Sequence, residues 1–201
     1  AHYLCEQASA SVATGDTAKA LDTLMQAAVM APASARPLID LAKLQNQLGQ
    51  AQEALQTLLK LPVTAPQALP LAAGLLANIA QNSGEQQATL ALLKESYAKT
   101  PSIDVIEAIV KLEKEPATAR QWYVRHLERE VSLIAASKWI AGEKLEDEHH
   151  HALVQRAMDQ ATKPLLRYRC AACGFEATQH FWHCPGCQAW DSYPARRIEE
   201  L

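Results

Sequence analysis

The sequence predicts an all-α protein in which about ten helices form a solenoid of repeats, followed by a small metal-binding lobe. Three observations lead to this fold class. Alanine, leucine and glutamine dominate a chain of 201 residues that is 49% hydrophobic but only 5% aromatic, a composition that favours helices over sheets. Glycines and prolines recur along the first half of the chain with a nearly constant period. Four of the five cysteines lie close together, between positions 170 and 187.

The repeat is set by three glycines spaced 34 and 35 residues apart, each followed 17 residues later by a proline. The glycines are Gly15, Gly49 and Gly84, and the prolines are Pro32, Pro66 and Pro101. We expect each unit to consist of two helices folded back on each other, because glycine tolerates the left-handed conformation that ends many helices. The proline cannot continue the second helix and separates the units. Pro62 is expected to distort the second helix of the second unit.

This pattern resembles the tetratricopeptide repeat, which has a period of about 34 residues. The resemblance implies a curved stack of helix pairs, with units at 1–34, 35–69 and 70–102. A four-helix bundle needs no such period, and a coiled coil needs a sustained seven-residue apolar spacing that this sequence lacks.

Helical patterning continues over 103–163 without a clear period. Ser102 is expected to cap the first helix of this region, and Pro116 ends it. The apolar residues of that helix are Ile103, Ile106, Ile109 and Val110. Further helices are predicted at 117–129, 133–141 and 146–163. The helical array is therefore predicted to span 1–163, and residues 164–201 form a separate lobe.

The lobe contains two Cys-x-x-Cys pairs, Cys170 with Cys173 and Cys184 with Cys187. Two-residue spacing lets a tight turn direct both sulfurs at one ion, and four thiolates suit tetrahedral zinc or iron. Disulfide frameworks belong to small secreted chains with dispersed cysteines, so the clustering predicts a metal site and a reducing compartment, either the cytoplasm or the cytoplasmic face of a membrane. The aromatic residues around the pairs are expected to form the core of the lobe.

Composition and motifs exclude several classes of function. The net charge is −3, from 19 basic and 22 acidic residues, so an overall basic field for nucleic acid is absent. No glycine-rich phosphate loop or Ser/His/Asp arrangement occurs, and we predict that the protein is not an enzyme. The run His149–His151 cannot share one ion, because adjacent helical residues point about 100° apart. No segment has the length and apolarity of a membrane span, and a soluble chain is expected.

Binding of a protein partner is expected on the concave surface of the repeats, where such arrays usually bind. The residues predicted to contribute are Arg36, Lys43, Asn46, Asn78 and Gln81, together with Trp182 and Trp190 of the lobe. Docking of the lobe on the array is expected to cover Trp182 or Trp190.

The knuckles Cys170–Gly174 and Cys184–Cys187 resemble rubredoxin, although Gln188 replaces the second glycine and the spacer of ten residues between Cys173 and Cys184 is short. The sequences 166–175 and 181–190 together resemble the C-terminus of the lipopolysaccharide assembly protein B family (LapB, also called YciM). The opening sequence, 1–8, is similar to one of that family's repeat helices.

The family resemblance implies a C-terminal cytoplasmic portion, with the family's N-terminal inner-membrane anchor and further repeats absent. It implies a non-enzymatic adaptor that promotes FtsH-dependent proteolysis of the deacetylase LpxC and so regulates lipopolysaccharide synthesis. It also implies a link to the lipopolysaccharide assembly proteins as partners. It also implies that Cys170, Cys173, Cys184 and Cys187 bind one metal ion of the iron type, and that the lobe packs against the repeats. Two alternatives stay open at this point: a rubredoxin-type electron-transfer protein and a zinc-ribbon module that binds nucleic acid.

Overall fold

The computed structural model describes residues 1–143 and 148–201, which divide into two compact units, 1–96 and 97–201. The helices that begin in the first unit are α1 (His2–Ala13), α2 (Thr17–Met30), α3 (Ala35–Gln47), α4 (Ala51–Leu58), α5 (Leu61–Thr64), α6 (Leu69–Ser83) and α7 (Gln86–Lys99). The second unit contains α8 (Ile103–Leu112), α9 (Pro116–Leu127), α10 (Leu133–Ala141), α11 (Glu148–Thr162), β1 (Tyr168–Arg169) and β2 (Glu176–Ala177). These helices confirm the all-α prediction. The predicted start of the last helix, at Glu146, lies outside the described residues.

The three repeat glycines adopt the left-handed conformation expected of helix ends. The φ angles of Gly15, Gly49 and Gly84 are 83°, 78° and 79°. Each glycine follows the first helix of its unit (α1, α3 or α6), and the next helix begins within two residues. In the first two repeats the helices then pack in pairs, α1 against α2 and α3 against α4. The prediction of two-helix units is confirmed there.

Equivalent positions of the three units are buried to the same degree. The small residue five positions after each glycine is at most 1% exposed, and the leucine nine positions after it is at most 3% exposed. These residues are Ala20, Ala54 and Thr89, and Leu24, Leu58 and Leu93. The recurring pattern therefore marks buried positions, which in the first two repeats lie on helices that pack in pairs. Small residues at these sites let the helix backbones approach closely.

Pro62 interrupts the second helix of the second repeat, as predicted. Helix α4 ends at Leu58, and a separate turn of four residues, α5, contains Pro62 in its first turn. A short 3-10 turn from Pro66 to Ala68 then leads into α6. Leu58 and Leu61 on either side of the break are both fully buried, so the interruption redirects the chain without opening the core.

Replacing Gly49 with alanine should destabilise the first compact unit, residues 1–96. A left-handed backbone costs a non-glycine residue about 1–2 kcal/mol, and Gly49 has a φ of 78° with no atom within 4 Å of an added Cβ. The expected loss therefore reflects the backbone alone. Gly74→Ala is the matched control, because Gly74 lies inside α6 and also has free space around an added Cβ. That change should instead stabilise the helix by about 0.5–1 kcal/mol. Urea unfolding of both variants measures the difference, and equal effects of the same sign would contradict this account.

The core of the second compact unit, residues 97–201, combines aliphatic and aromatic side chains. Ile103, Ile106 and Ile109 on α8 are at most 1% exposed. Trp122 on α9 meets the Tyr97 ring edge-on at 5.7 Å, and the Tyr97 hydroxyl lies 3.0 Å from Nδ1 of buried His126. The two short strands pair antiparallel, with Tyr168 opposite Ala177. Among helices of the described ranges, none is both long and apolar enough to cross a membrane.

The N-terminus of α8 is capped by a residue far away in the sequence. Ser102 occupies the position before the helix, but within the described part of the chain its hydroxyl forms no capping hydrogen bond. Instead, the Ile103 amide donates to the carboxylate of Glu200 at 2.7 Å. Ser102 thus holds the predicted N-cap position, but its hydroxyl does not cap the helix. The first amide is accepted by a carboxylate from the end of the lobe.

Candidate metal centre

The four clustered cysteines bring their sulfur atoms together in one group. All four sulfurs lie within 4.8 Å of one another. The Sγ–Sγ distance is 3.8 Å between Cys170 and Cys187 and 3.7 Å between Cys173 and Cys184. A tetrahedral ion with metal–sulfur bonds of about 2.3 Å has ligands about 3.8 Å apart, whereas a disulfide needs about 2.0 Å. The donor set therefore fits a single tetrahedral metal ion.

Each Cys-x-x-Cys pair is shaped by a turn whose last residue has a left-handed backbone. After the first pair, Gly174 has a φ of 77°, and its amide donates to the Cys170 carbonyl at 2.8 Å. After the second pair, Gln188 has a φ of 61°, and its amide donates to the Cys184 carbonyl at 2.9 Å. The two turns thus have the same form. Gln188 keeps the conformation expected of glycine, at a strain of about 1–2 kcal/mol.

Polar groups around the Cys170 sulfur favour its thiolate form. The Ser192 hydroxyl lies 3.2 Å from the Cys170 sulfur. The pKa of Cys170 is lowered to about 6, chiefly by this hydroxyl and further by backbone amides of the first turn. The Tyr193 hydroxyl, 4.0 Å from the Cys184 sulfur, donates to the Phe175 carbonyl at 3.1 Å. Cys170 and Cys184 are buried, whereas Cys173 and Cys187 reach the surface.

The aromatic residues of the lobe divide into buried and exposed sets. Tyr168 and Tyr193 are buried, as expected of a lobe core, and both contact the ring of His180. Trp190 is 42% exposed, and its ring stacks on that of His183 at a centroid distance of 4.3 Å. His183 therefore has an aromatic neighbour beside the cysteine cluster. Trp182 is half-buried.

The residues predicted to bind a partner on the repeats lie in different environments. The Arg36 side chain is only 7% exposed and forms ion pairs with Glu6 at 2.5 Å and Asp40 at 3.3 Å. Lys43 is exposed and lines a cavity of about 210 Å³ beside Asp40. The other three are Asn46, which is half-buried, and Asn78 and Gln81, which are exposed. A role in partner binding stays a prediction for all of them and for Trp182 and Trp190.

Sequence reasoning missed the residues that attach the lobe to its neighbouring helices. Arg197 pairs with Asp104 on α8, at 2.8 Å between Nη2 and Oδ1. Glu199 accepts hydrogen bonds from the start of α10. Local sequence carries no signal for these contacts, because the partners are 65 to 93 residues apart.

The chain is similar to known proteins at both the repeats and the lobe. A tetratricopeptide repeat model matches residues 11–79, and a rubredoxin metal binding domain model matches residues 168–193. Lipopolysaccharide assembly protein B of Escherichia coli strain K12 is 25% identical over 210 aligned residues, which include all of this chain and 54% of the relative. The same protein of E. coli O157:H7 gives the same values. The chain thus spans about half the length of the curated relatives it matches.

Solved structures share the fold of the helical array. A crystal structure of MamA is 16% identical with a TM-score of 0.51, covering 77% of this chain and 95% of MamA. MamA from Desulfovibrio magneticus RS-1 is 12% identical, also with a TM-score of 0.51, covering 81% and 96%. At this identity the similarity concerns the fold alone, and it confirms the helical-repeat architecture.

Three findings point to the same protein family. The repeats match the tetratricopeptide model, the four cysteines lie within the matched metal binding domain, and the alignment with the E. coli relatives runs through the whole chain. These findings support the assignment of the chain to the lipopolysaccharide assembly protein B family, as a portion that contains repeats and a metal-binding lobe.

Proposed function

We propose that this chain is a non-enzymatic adaptor that regulates lipopolysaccharide synthesis on the cytoplasmic side of the inner membrane. In this proposal it promotes proteolysis of the deacetylase LpxC by the membrane protease FtsH. The observation that carries the proposal is the alignment of the whole chain with lipopolysaccharide assembly protein B. A helical-repeat array supports it further, because such arrays present extended surfaces to protein partners.

The partner surface proposed for the repeats includes Lys43, Asn78 and Gln81, which are exposed. Arg36 contributes differently. Its guanidinium, held between Glu6 and Asp40, fixes the position of the Asp40 carboxylate beside Lys43. A surface with amide groups and both signs of charge suits a folded or extended protein segment better than the uniform negative charge of a nucleic acid backbone.

The four cysteines would hold one ion, iron by the rubredoxin resemblance or zinc. When bound, the ion supplies a cross-link between the two turns rather than a reaction, and the lobe then offers a fixed surface beside the helices. The charge balance within the lobe supports this role over nucleic acid binding, since Glu176 pairs with both Arg167 and Arg169. Elemental analysis and the visible absorption of protein purified with its native metal distinguish iron from zinc.

The test of the proposed function measures the lifetime of LpxC in cells. The chain is joined to an inner-membrane anchor and expressed in bacteria depleted of their own family member. After protein synthesis is stopped, LpxC should decay several-fold faster than in cells that express the anchor alone. A Cys184→Ser/Cys187→Ser version of the same fusion serves as the comparison for the lobe. An LpxC half-life equal to that with the anchor alone, at matched expression, would overturn the proposal.

A further inference from the structure

The last residues of the lobe, Arg197 to Glu200, connect three parts of the second unit. We infer that this C-terminal segment is a latch through which the metal-bound lobe stabilises the N-termini of helices α8 and α10. The inference does not depend on the partner or function proposed above. It rests on the hydrogen bonds that residues 197–200 make with the N-termini of α8 and α10 on one side and with the start of the lobe on the other.

On the helix side, two adjacent carboxylates act as caps. Glu199 Oε1 accepts hydrogen bonds from the amides of Leu133 at 2.6 Å and Ile134 at 3.0 Å, and its Oε2 accepts from the Ser132 hydroxyl at 2.6 Å. Glu200 Oε1 accepts from the amide of Ile103 at 2.7 Å. The first four amides of a helix have no partner within it, and negative charge is favourable at this end. The latch thus supplies α8 and α10 with acceptors that satisfy part of this need.

On the lobe side, the same segment is held by the residues just before strand β1 and by the Tyr168 ring. The Ile198 amide donates to the Arg167 carbonyl at 2.8 Å. The Arg197 guanidinium donates to the Leu166 carbonyl at 2.6 Å and lies 4.2 Å above the centre of the Tyr168 ring. Tyr168 and Cys170 are only two residues apart, so the contacts of the latch adjoin the metal ligands.

Arg197 also joins the two sides directly. Its guanidinium makes a two-pronged contact with Asp104, through Nε to Oδ2 at 3.0 Å and Nη2 to Oδ1 at 2.8 Å. Asp104 lies in the first turn of α8, next to the amide that Glu200 caps. The residues of the latch are half-buried and three of the four are charged, so the segment gains its order from these contacts rather than from a core of its own.

The direction of the coupling follows from the size of the lobe. A region of under about 40 residues with two short strands has too little apolar core to fold without its ion. Losing the ion should disorder the strand at Tyr168 and release the latch. Glu199 and Glu200 would then leave the two helix ends, and the first turns of α8 and α10 would fray. Helix ends outside the contacts of the latch should stay unchanged.

Hydrogen exchange of the full chain, followed by mass spectrometry, tests the latch. With metal bound, Glu199→Ala/Glu200→Ala should speed exchange in the first turns of α8 and α10 by on the order of tenfold. The matched control is Glu128→Ala, since Glu128 is an exposed residue at the end of α9. It should leave both turns unchanged. The metal content of each variant verifies that the lobe is still folded.

The second arm removes the metal and leaves the latch sequence intact. In Cys184→Ser/Cys187→Ser, exchange should increase in the same two turns, while the first turns of α2 and α4 keep their rates. Unchanged protection of α8 and α10 in this metal-free variant would overturn the inference. The inference would also be overturned if the Glu199→Ala/Glu200→Ala variant exchanged hydrogen in these two turns at the same rate as the unmodified protein. Neither outcome bears on LpxC turnover, so failure of the latch and failure of the proposed function are distinguishable.

Discussion

A Cys184→Ser/Cys187→Ser variant is expected to contain no stoichiometric metal and to lose the folded lobe. Only two of the four sulfurs remain in it, and a hydroxyl is a poor replacement for a thiolate at a soft tetrahedral site. The binding energy of structural zinc in small domains is about 10–16 kcal/mol near neutral pH. Because the lobe has only two strands of two residues each, most of its stability should depend on this energy.

Two measurements check this expectation. Elemental analysis should fall from about one ion per chain to none, and near-ultraviolet circular dichroism should lose the signal of the buried tyrosines Tyr168 and Tyr193. Cys5→Ala is the matched control, because Cys5 is a buried cysteine in the first unit and lies outside the cluster. It should keep the full metal content. A double variant that still binds one ion would contradict the assignment of the four ligands.

Replacing Arg197 with alanine should be the most costly single change in the latch. The side chains of Arg197 and Asp104 are only 19% and 13% exposed, and the substitution leaves the Asp104 carboxylate without this cationic partner. Breaking a buried ion pair from one side typically costs 3–5 kcal/mol, and about 3 kcal/mol is expected for this partly buried pair. Part of the loss should come from the contact between the guanidinium and the Tyr168 ring. Urea unfolding of the metal-loaded protein measures the change.

Arg196→Ala is the control for Arg197→Ala, since it removes the same side chain one position earlier. Its effect should stay within about 0.5 kcal/mol, as for most half-exposed substitutions. A double-mutant cycle with Asp104→Ala separates the ion pair from the other contacts of Arg197. A coupling energy near zero would show that the pair does not stabilise the second unit.

The repeats and the metal ligands could be predicted because local sequence determines them. A glycine at a helix end and a proline after the second helix act within a few residues of the turns they form, and Gly15, Gly49 and Gly84 all show the expected backbone. The Cys-x-x-Cys spacing likewise fixes the direction of two sulfurs within one turn. Gln188 shows the limit of such rules, because it takes the left-handed conformation without being glycine.

The attachment of the lobe could not be predicted, because it depends on contacts between distant residues. Capping rules look at the residue just before a helix and therefore indicated Ser102, but the acceptor is Glu200, 97 positions after Ile103. Nothing in the sequence near Glu199 indicates that its carboxylate accepts amides of α10. Only the three-dimensional course of the chain reveals these pairs.

The distance between Glu200 and Ile103 also has a consequence for how the protein is made. The ribosome releases the first unit well before residues 197–200 are synthesised, so that unit can fold while translation continues. Helices α8 and α10 are synthesised before Glu199 and Glu200, so the amides at their N-termini lack these acceptors until the end of the lobe is made. Nascent chains stalled before residue 197 should therefore carry a folded first unit and an unfinished second one, a state that chaperones could recognise.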